Sequence, residues 1–570
     1  MTFLRNFLPL LSQLSDYGRE KLRGDLSAGL TVGVMLIPQG MAYALIAGLS
    51  PIYGLYASLV PLVVYAVFGT SRQLAVGPVA MVSLLVAAAV APIAEGSPQL
   101  YVGLAVLLSL MVGVLQFGLG VARFGFLVNF LSHPVLSGFT SAAALIIGLS
   151  QLKHLLGIDL PRSNFIHEIL WTAAGRLGEV HPLTLLLGLG SIALLVGLRW
   201  WSRALPGALV AVVLTTVVVW ALGLDEQGVA IVGTVPGGLP PLSMPPLDWG
   251  YARQLAPSAL AIGLVGFMES IAVAKVYAGR HRYEVDANQE LIGLGLANIA
   301  GAFASAYPTT GGFSRTAVND EAGARTNLAA IVSAGIIALT LLFLTPLFYY
   351  LPKAVLAAII MVAVAGLVDW DEARYLWRVD RRDFGLMVLT FVATLTLGIE
   401  QGILVGVIVS LIVIIYESST PHTAVMGRLP DTETYRNLKR NPEAMTRSHV
   451  VVLRMDANLS FANVSTFQDL VLDLDVNDPA LEAIVIDMYP VNQIDSTATH
   501  TLRDVIETCR RGGVRLYLAG VKGPVKDVLD AAGLSDDLGE ERFFLEVHDA
   551  VEAAEAAVED DESAAEPISS

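Results

Sequence analysis

Apolar runs of membrane-spanning length recur along the first 420 residues, and they restrict the possible folds more than any other feature. Examples are 101–122, 207–224, 327–350 and 384–417. A spanning helix needs about 20 consecutive apolar residues, and within a bilayer the helix satisfies its own backbone polar groups. Charged residues make up only 15% of the chain. The sequence therefore predicts an α-helical polytopic membrane protein.

We interpret the runs as fourteen transmembrane segments within 25–420, preceded by a cytoplasmic N-terminus at 1–24. Arginine and lysine are more frequent in the turns that would be cytoplasmic if the N-terminus is inside. An even number of segments returns the C-terminus to the cytoplasm, and the predicted location is the cell membrane. The Pro/Gly-rich stretch 233–246 divides the segments into two halves of seven.

Two short Gly-containing strips interrupt the apolar pattern at matching positions of the halves. Val76-Gly-Pro-Val79 precedes the third segment, and Thr310-Gly-Gly-Phe313 precedes the tenth. Interrupted segments at corresponding positions of two halves indicate the midplane site of a secondary transporter. Each strip would open a helix inside the membrane, and a helix N-terminus favours anions. The alternative is that both strips are ordinary loops punctuated by glycine.

Arg315 follows the second strip, and a guanidinium at membrane depth is costly enough to indicate a functional site. We expect Arg315 to offset the charge of a bound anion, while Gly312, Phe313 and Ser314 supply N–H groups and a hydroxyl. The alternative is an arginine whose head reaches the cytoplasmic interface.

Glu269 lies in another apolar run, about 45 residues upstream. Burial disfavours an ionised carboxylate, so proton binding at Glu269 would favour anion binding beside it. Sodium is the rival coupling ion, and only Ser270 and the threonines 309–310 offer side-chain oxygens for it. Because these oxygens are few, protons are favoured over sodium. A third interpretation is that Glu269 pairs with Arg315 or Lys275 as part of the structure.

A long motif in the first segment runs from Ile37-Pro-Gln-Gly-Met-Ala-Tyr43 to Pro51-Ile-Tyr-Gly-Leu-Tyr56. Together with Gly77-Pro78, Glu269-Ser-Ile-Ala272 and Ser314-Arg315, this motif resembles the SulP anion transporters, which include solute carrier family 26 and the sulfate permeases. The resemblance covers almost the whole chain. It implies a 7+7 inverted repeat in which segments 1–4 and 8–11 form a core domain and the others a gate domain. It also implies an elevator-type mechanism and a homodimer.

The resemblance further implies that Gln39 and Tyr43 line the anion cavity, with Val79 opposite. Gln39 and Tyr43 are four residues apart and share a helix face. The alternative for Gln39 is a hydrogen bond between helices. Pro38 is expected to break the first helix near its middle.

From about residue 448 the pattern changes to short buried strands separated by helices, which predicts a small cytoplasmic α/β domain. This part resembles a STAS domain. We assign 448–555 to it, with 421–447 as a linker and 556–570 as an acidic disordered tail. The stretch 421–570 has 28 acidic and 13 basic residues, a net charge of 13 − 28 = −15. This charge argues against nucleic acid as a partner.

Thr497 occupies the position of a phosphorylation site in soluble STAS proteins. The alternative is that Ser496 or Thr497 caps the helix that follows. We expect a cytosolic regulatory partner at this domain, and membrane lipid and a small anion as the other partners.

The predicted function is secondary active anion transport, most simply proton-coupled uptake of sulfate or a related oxyanion. Sodium-coupled bicarbonate and proton-coupled C4-dicarboxylate transport stay open, since the family covers these substrates. An uncoupled anion channel and a STAS-linked membrane sensor are alternatives of other classes. The sequence has no metal-ligand spacing, nucleophile triad or phosphate-binding Gly loop, so we expect neither an enzyme nor a cofactor or metal.

Overall fold

The chain folds as two units, Met1–Ser410 and Leu411–Ser570. The structure is a computed structural model that describes residues 8–14, 17–126, 132–160, 166–201, 207–477 and 480–565. The first unit is helical apart from two very short strands, and the second is built on a β-sheet. This division agrees with the predicted order of a membrane part and an α/β domain.

Helix starts in the first unit follow from residues that suit a helix N-terminus. Pro51 and Pro98 occupy first turns, where the absent N–H is not needed. Asp286 accepts backbone N–H bonds from the first turn of its helix. The helices, numbered along the chain, are α1 (Pro9–Gln13), α2 (Arg19–Ile46), α3 (Pro51–Ala57), α4 (Val60–Phe68), α5 (Ala80–Val90), α6 (Pro98–Val121), α7 (His133–Ser150), α8 (Leu152–Leu156), α9 (Ile166–Gly175), α10 (Pro182–Trp201), α11 (Gly207–Leu222), α12 (Trp249–His281), α13 (Ala287–Phe303), α14 (Phe313–Glu321), α15 (Leu328–Leu339), α16 (Lys353–Ala365), α17 (Trp370–Val379), α18 (Arg381–Leu397) and α19 (Ile399–Ser419).

Eight helical stretches of the described chain are long and apolar enough to cross a membrane. They are Arg19–Ile46, Pro51–Phe68, Pro98–Val121, His133–Leu156, Trp249–His281, Leu328–Phe348, Lys353–Val379 and Gln401–Ser419. Shorter apolar helices occur at Ala80–Val90, Pro182–Leu198 and Gly207–Leu222. The polytopic helical fold is confirmed. The number of fourteen segments stays a prediction, because helices that begin inside a membrane are shorter than a full span.

The first long helix, α2, continues through Pro38, so the predicted break is wrong. A proline inside a membrane helix is tolerated where neighbouring helices hold the chain on both sides. Close packing beside the proline supplies such support: a Cβ built on Gly40 would lie 3.0 Å from the carbonyl oxygen of Gly54 in α3.

The two Gly-containing strips form strands β1 (Val76–Gly77) and β2 (Thr310–Gly311). They pair antiparallel, with Val76 opposite Gly311 and Gly77 opposite Thr310. β1 leads into α5, and β2 leads into α14. The prediction of two matching strips that each open a short helix is confirmed, and the loop alternative is wrong.

The second unit is a six-stranded sheet with the order β4-β3-β5-β6-β7-β8. Strands β5 to β8 run parallel, while β3 pairs antiparallel with β4 and β5. The strands are β3 (Thr423–Arg428), β4 (Tyr435–Asn437), β5 (Val450–Met455), β6 (Ala483–Asp487), β7 (Arg515–Ala519) and β8 (Phe543–Phe544). The helices are α20 (Val464–Asn477), α21 (Ser496–Gly512), α22 (Gly523–Ala531), α23 (Leu534–Leu538) and α24 (Val547–Ala565).

The predicted linker 421–447 contains β3 and β4, so the sheet begins earlier than the sequence pattern indicated. β3 buries Ala424 and Met426 on one face, but polar residues around it weaken its strand signal. The predicted disordered tail 556–570 is likewise wrong for its first part, because α24 extends to Ala565. Small apolar side chains of α24, including Ala554 and Val558, are buried. Residues 566–570 lie outside the described chain.

Candidate anion-binding site

Arg315 lies at the third position of α14 and is buried, with 1% of its surface exposed. Its Nη1 donates a hydrogen bond to the carbonyl oxygen of Pro78, between β1 and α5. Its Nε and Nη2 have no hydrogen-bond partner within the described ranges. An unpaired buried donor costs about 1–3 kcal/mol, and more when charged. The burial argues against an arginine at the interface, and the two unpaired nitrogens are available to a ligand.

Two helix N-termini begin beside this guanidinium. Val79 and Gly312 are the N-cap residues of α5 and α14, and neither makes a side-chain cap hydrogen bond. The first N–H groups of a helix have no partner within it, and they give that end a partial positive charge. Pairing of β1 with β2 holds the two helix starts together. The arrangement therefore offers two sets of N–H donors and one guanidinium to an anion.

The residues around Arg315 differ in exposure. Gly312 and Val79 are buried, whereas Phe313 is 55% exposed and Ser314 is also exposed. A Cβ built on Gly312 would lie 2.9 Å from Arg315 Nη2. Gly312 therefore leaves the room that the guanidinium occupies, while the side chains of Phe313 and Ser314 lie on the open side of α14.

Gln39 and Tyr43 of α2 are both buried. The Gln39 Oε1 has no hydrogen-bond partner among the described residues, so the alternative of a bond between helices is not supported for this atom. Tyr43 interacts electrostatically with Arg315, and so does Tyr307, which is fully buried. The Tyr307 hydroxyl lies 3.2 Å from the Ser83 hydroxyl of α5. Sequence reasoning missed Tyr307, although it stands just before the second strip.

Glu269 of α12 is half-buried, and its Oε2 has no hydrogen-bond partner in the described chain. No ion pair of the described residues joins it to Arg315 or Lys275. The charges of Glu269 and Arg315 nevertheless act on each other. The alternative of a direct structural ion pair is therefore not supported.

Ser270 is fully buried and anchors β2 to α12. Its hydroxyl donates to the Gly266 carbonyl at 2.8 Å and accepts from the Gly311 N–H at 2.8 Å. It also lies 2.6 Å from the Thr310 hydroxyl. The structure thus assigns Ser270 to the support of the strip, and its part in ion coupling stays a prediction.

Two further polar residues, Asn298 and Gln116, hold the chain just before β2. The sequence alone did not assign them to the site. The Asn298 side chain of α13 accepts from the Thr309 N–H at 2.8 Å and donates to the Thr309 carbonyl at 3.1 Å. It also donates to Gln116 of α6, whose amide donates to the Gly263 carbonyl at 3.0 Å. Each of these two residues places a side-chain amide inside an apolar run, and that feature could have revealed both from the sequence.

In the second unit, Thr497 is exposed at the start of α21. The N-cap of this helix is Asp495, whose carboxylate accepts from the Ala498 N–H at 2.9 Å. The alternative that Ser496 or Thr497 caps the helix is therefore wrong. Exposure leaves the Thr497 hydroxyl accessible, and its phosphorylation stays a prediction.

The chain is similar to known proteins over nearly its whole length. A model of the sulfate permease family matches residues 22–390, and a STAS domain model matches 441–550. "Probable sulfate transporter 4.2" of Arabidopsis thaliana is 45% identical over 546 residues, which cover 93% of this chain and 80% of that protein. "Probable sulfate transporter Rv1739c" of Mycobacterium tuberculosis is 36% identical, covering 96% of this chain and 97% of its own.

Solved structures agree with these matches. The murine solute carrier 26 family member A9 anion transporter, solved in an inward-facing state, superimposes with a TM-score of 0.91 at 27% identity, covering 97% of this chain and 95% of its own. The transmembrane domain of the cyanobacterium bicarbonate transporter BicA gives a TM-score of 0.60 at 25% identity, covering 70% of this chain and 98% of its own.

Proposed function

Because the chain belongs to the sulfate permease family, we propose that it takes up sulfate together with protons as a secondary active transporter. One observation carries the proposal: Arg315 is buried where two helices begin, and two of its nitrogens lack partners. A tetrahedral dianion presents several oxygen acceptors to such donors, and charge-assisted hydrogen bonds are the strong ones. The sulfate transporters among the relatives support sulfate as the substrate.

Glu269 is the group we propose to carry the proton. An ionised Glu269 would repel an incoming dianion, since two like unit charges about 6 Å apart repel by about 3 kcal/mol at an effective dielectric constant of 20. Protonation removes this repulsion, so proton and anion would bind together. The Ser270 hydroxyl oxygen, one of the few that a sodium site could use, already accepts a hydrogen bond from the Gly311 N–H.

We propose an elevator-type movement in which the site travels with the helices that carry it. Pairing of β1 with β2 and the bond from Arg315 to Pro78 join α5 and α14 into one piece. Such a piece suits a displacement as a body better than an opening between the two helices. We also propose that the protein is a homodimer in a cell membrane and that both of its termini are cytoplasmic.

Uptake of radiolabelled sulfate into proteoliposomes tests the proposal. We expect an inward proton gradient, but not a sodium gradient, to drive accumulation. Arg315→Ala should abolish uptake because the guanidinium is lost. Glu269→Gln should retain sulfate exchange between equal compartments but lose the response to pH. Arg253→Ala is the matched control, since this arginine is exposed, and its uptake should equal that of the unmodified protein.

Three results would contradict the proposal. Accumulation that follows sodium and ignores pH would refute proton coupling. A conductance that does not saturate with sulfate would indicate a channel. Full uptake by Arg315→Ala would refute the site itself. The similarity to BicA makes bicarbonate the second candidate substrate, and competition by bicarbonate stronger than by unlabelled sulfate would favour it.

A further inference from the structure

A cavity of about 390 Å³ opens on the sheet of the second unit, within the size range of small-molecule sites. We call it the basic cavity, because its walls carry three arginines and a histidine but one carboxylate. Its lining residues are His422, Ala424, Met426, Arg436, Asn437, Arg440, Asn441, Arg454 and Asp456. Its lining includes neither the residues of the anion-binding site nor Thr497.

The charge of the basic cavity is opposite to that of its surroundings. Three arginines and one aspartate give its walls a formal charge of +3 − 1 = +2 with His422 neutral. The stretch 421–570 as a whole has a net charge of −15. In such an acidic unit, nearby carboxylates could neutralise most arginines and lysines. The positive charge concentrated in the basic cavity therefore needs an explanation of its own.

Elsewhere in the unit, basic side chains do pair with acids. Arg447 lies 2.7 Å from Glu555, and Lys526 lies 2.7 Å from Asp530. The side chains of Arg436 and Arg440, in contrast, are exposed and have no ion pair or hydrogen bond in the described part of the unit. Two guanidiniums with all their donors free therefore stand on the walls of one cavity.

The third arginine is held in place. Arg454 Nε donates to Asp456 Oδ1 at 2.6 Å, and Asp456 Oδ2 lies 3.0 Å from His422 Nδ1. These contacts occupy the only carboxylate of the cavity. Ala424, directly opposite Arg454 in the β3–β5 pairing, has too small a side chain to fill the space beside it. Arg454 Nη1 also lies 3.8 Å from Asp487 Oδ2, so the charge of Arg454 is already offset. The free guanidiniums of Arg436 and Arg440 supply the binding donors.

We propose that the basic cavity binds the dianionic phosphate or sulfate group of a small organic molecule. The unpaired guanidiniums of Arg436 and Arg440 together match the charge of a dianion, and the planar fork of a guanidinium binds such oxyanions through two parallel hydrogen bonds. One tetrahedral oxyanion fills only part of the cavity. The remaining space, lined by Met426 and the amides of Asn437 and Asn441, accommodates the organic part.

Calorimetric titration of the full chain in detergent tests this proposal with adenosine 5′-monophosphate, inorganic phosphate and neutral adenosine as probes. We expect saturable binding of the nucleotide, weaker binding of phosphate and none of adenosine. Arg436→Gln/Arg440→Gln should weaken nucleotide binding by at least tenfold, and Arg440→Lys should weaken it less, because lysine keeps the charge but loses the fork. Raising the salt concentration should weaken binding further.

Lys439→Gln is the matched control. This residue is exposed beside Arg440 and does not line the cavity. Lys439→Gln removes one positive charge, half of what the double substitution removes, and should leave binding unchanged. If Lys439→Gln weakened nucleotide binding as much as the double substitution, the effect would come from net charge alone, and the proposed site would be wrong. Equal affinity for the nucleotide and for phosphate would contradict the proposal that the ligand has an organic part. Binding that survives the double substitution would place the ligand elsewhere.

Discussion

At the scale of single residues, the unusual feature is a buried arginine that leaves two nitrogens unpaired. A folded interior normally satisfies such groups, since each unpaired donor is destabilising. Arg315 makes one bond, to Pro78, which fixes the side chain without using its remaining donors. A ligand that pairs with these nitrogens removes the penalty of leaving them unpaired, and this gain contributes to anion affinity.

Gly312 controls where this guanidinium lies. In Gly312→Ala the new Cβ would stand 2.9 Å from Nη2 and 3.1 Å from Cζ of Arg315, so the flexible side chain must shift while the backbone fold stays. We expect the KM for sulfate uptake to rise about tenfold, which corresponds to about 1.4 kcal/mol, with normal expression. Gly335→Ala, which meets no atom within 4 Å, should change nothing. An unaltered KM in Gly312→Ala would mean that the guanidinium does not contact sulfate.

Asp456 gives the second unit a dependence of stability on pH. Burial would raise the pKa of its carboxyl, but hydrogen bonds from Arg454 and His422 outweigh this effect and lower the pKa below its usual range. An aspartate in an unfolded chain has a pKa of about 3.9. The ionised carboxylate therefore contributes stability above about pH 3.9, and this contribution disappears as the pH falls through the lower folded-state value.

We expect Asp456→Asn to lower the Tm of the second unit at pH 7, and the difference from the unmodified protein to shrink as the pH falls below about 4. Thermal unfolding followed between pH 3 and 7 measures both. Asp469→Asn, at an exposed position of α20, is the control and should show no pH-dependent difference. A Tm difference that stays constant from pH 7 to pH 3 would attribute the effect to packing instead of charge.

At the scale of elements, two strands of two residues cannot be stable on their own. The surrounding helices hold β2 from several sides: Ser270 of α12 accepts from the Gly311 N–H, and Asn298 of α13 binds the backbone of Thr309. The strip therefore owes its shape to side chains of the neighbouring helices that bond to its backbone. Changes at these positions should alter transport through the geometry of α14.

Ser270→Ala removes the acceptor for the Gly311 N–H. We expect a loss of stability of about 1–3 kcal/mol for a buried group left unpaired, together with a lower maximal rate of sulfate uptake. The pH dependence of uptake should stay unchanged, because the proton carrier Glu269 is untouched. Thr340→Val is a suitable control, since this buried hydroxyl donates to the Ile336 carbonyl one turn earlier in the chain. If Ser270→Ala changed the pH dependence of uptake, Ser270 would have a part in proton coupling.

The sequence predicted these elements where local chemistry decides them. Gly77-Pro78 and the Gly311-Gly312 pair cannot continue a regular helix, so they indicated the strips and the helices that follow. The roles of Asn298 and Gln116 could not be predicted, because they depend on which helices become neighbours. The helix break predicted at Pro38 was wrong for the same reason, because packing against neighbouring helices keeps α2 continuous despite the low helix propensity of proline. The final part of α24 was wrongly predicted to be disordered, because its small apolar residues become buried only where the sheet packs against the helix.

At the scale of the whole molecule, the chain carries two candidate anion sites, one in each unit. Their selectivity should differ, because one uses a single buried guanidinium with helix N-termini and the other uses exposed guanidiniums. We expect sulfate to slow backbone hydrogen exchange around 76–80 and 311–316, and adenosine 5′-monophosphate to slow it around 422–456. Hydrogen exchange of the full chain with each ligand separately measures this. Protection of both regions by one ligand would contradict two independent sites.

The pairing of β1 with β2 also sets an order of events during synthesis. About 235 residues separate the paired positions, and ribosomes add about 5–20 residues per second. The first strip therefore waits roughly 10 to 50 s before its partner has been made. Throughout this interval the first half exposes an unpaired backbone edge and the unused carbonyl of Pro78. The anion-binding site is therefore complete only after the second half has been made, when β2 pairs with β1 and Arg315 bonds to Pro78.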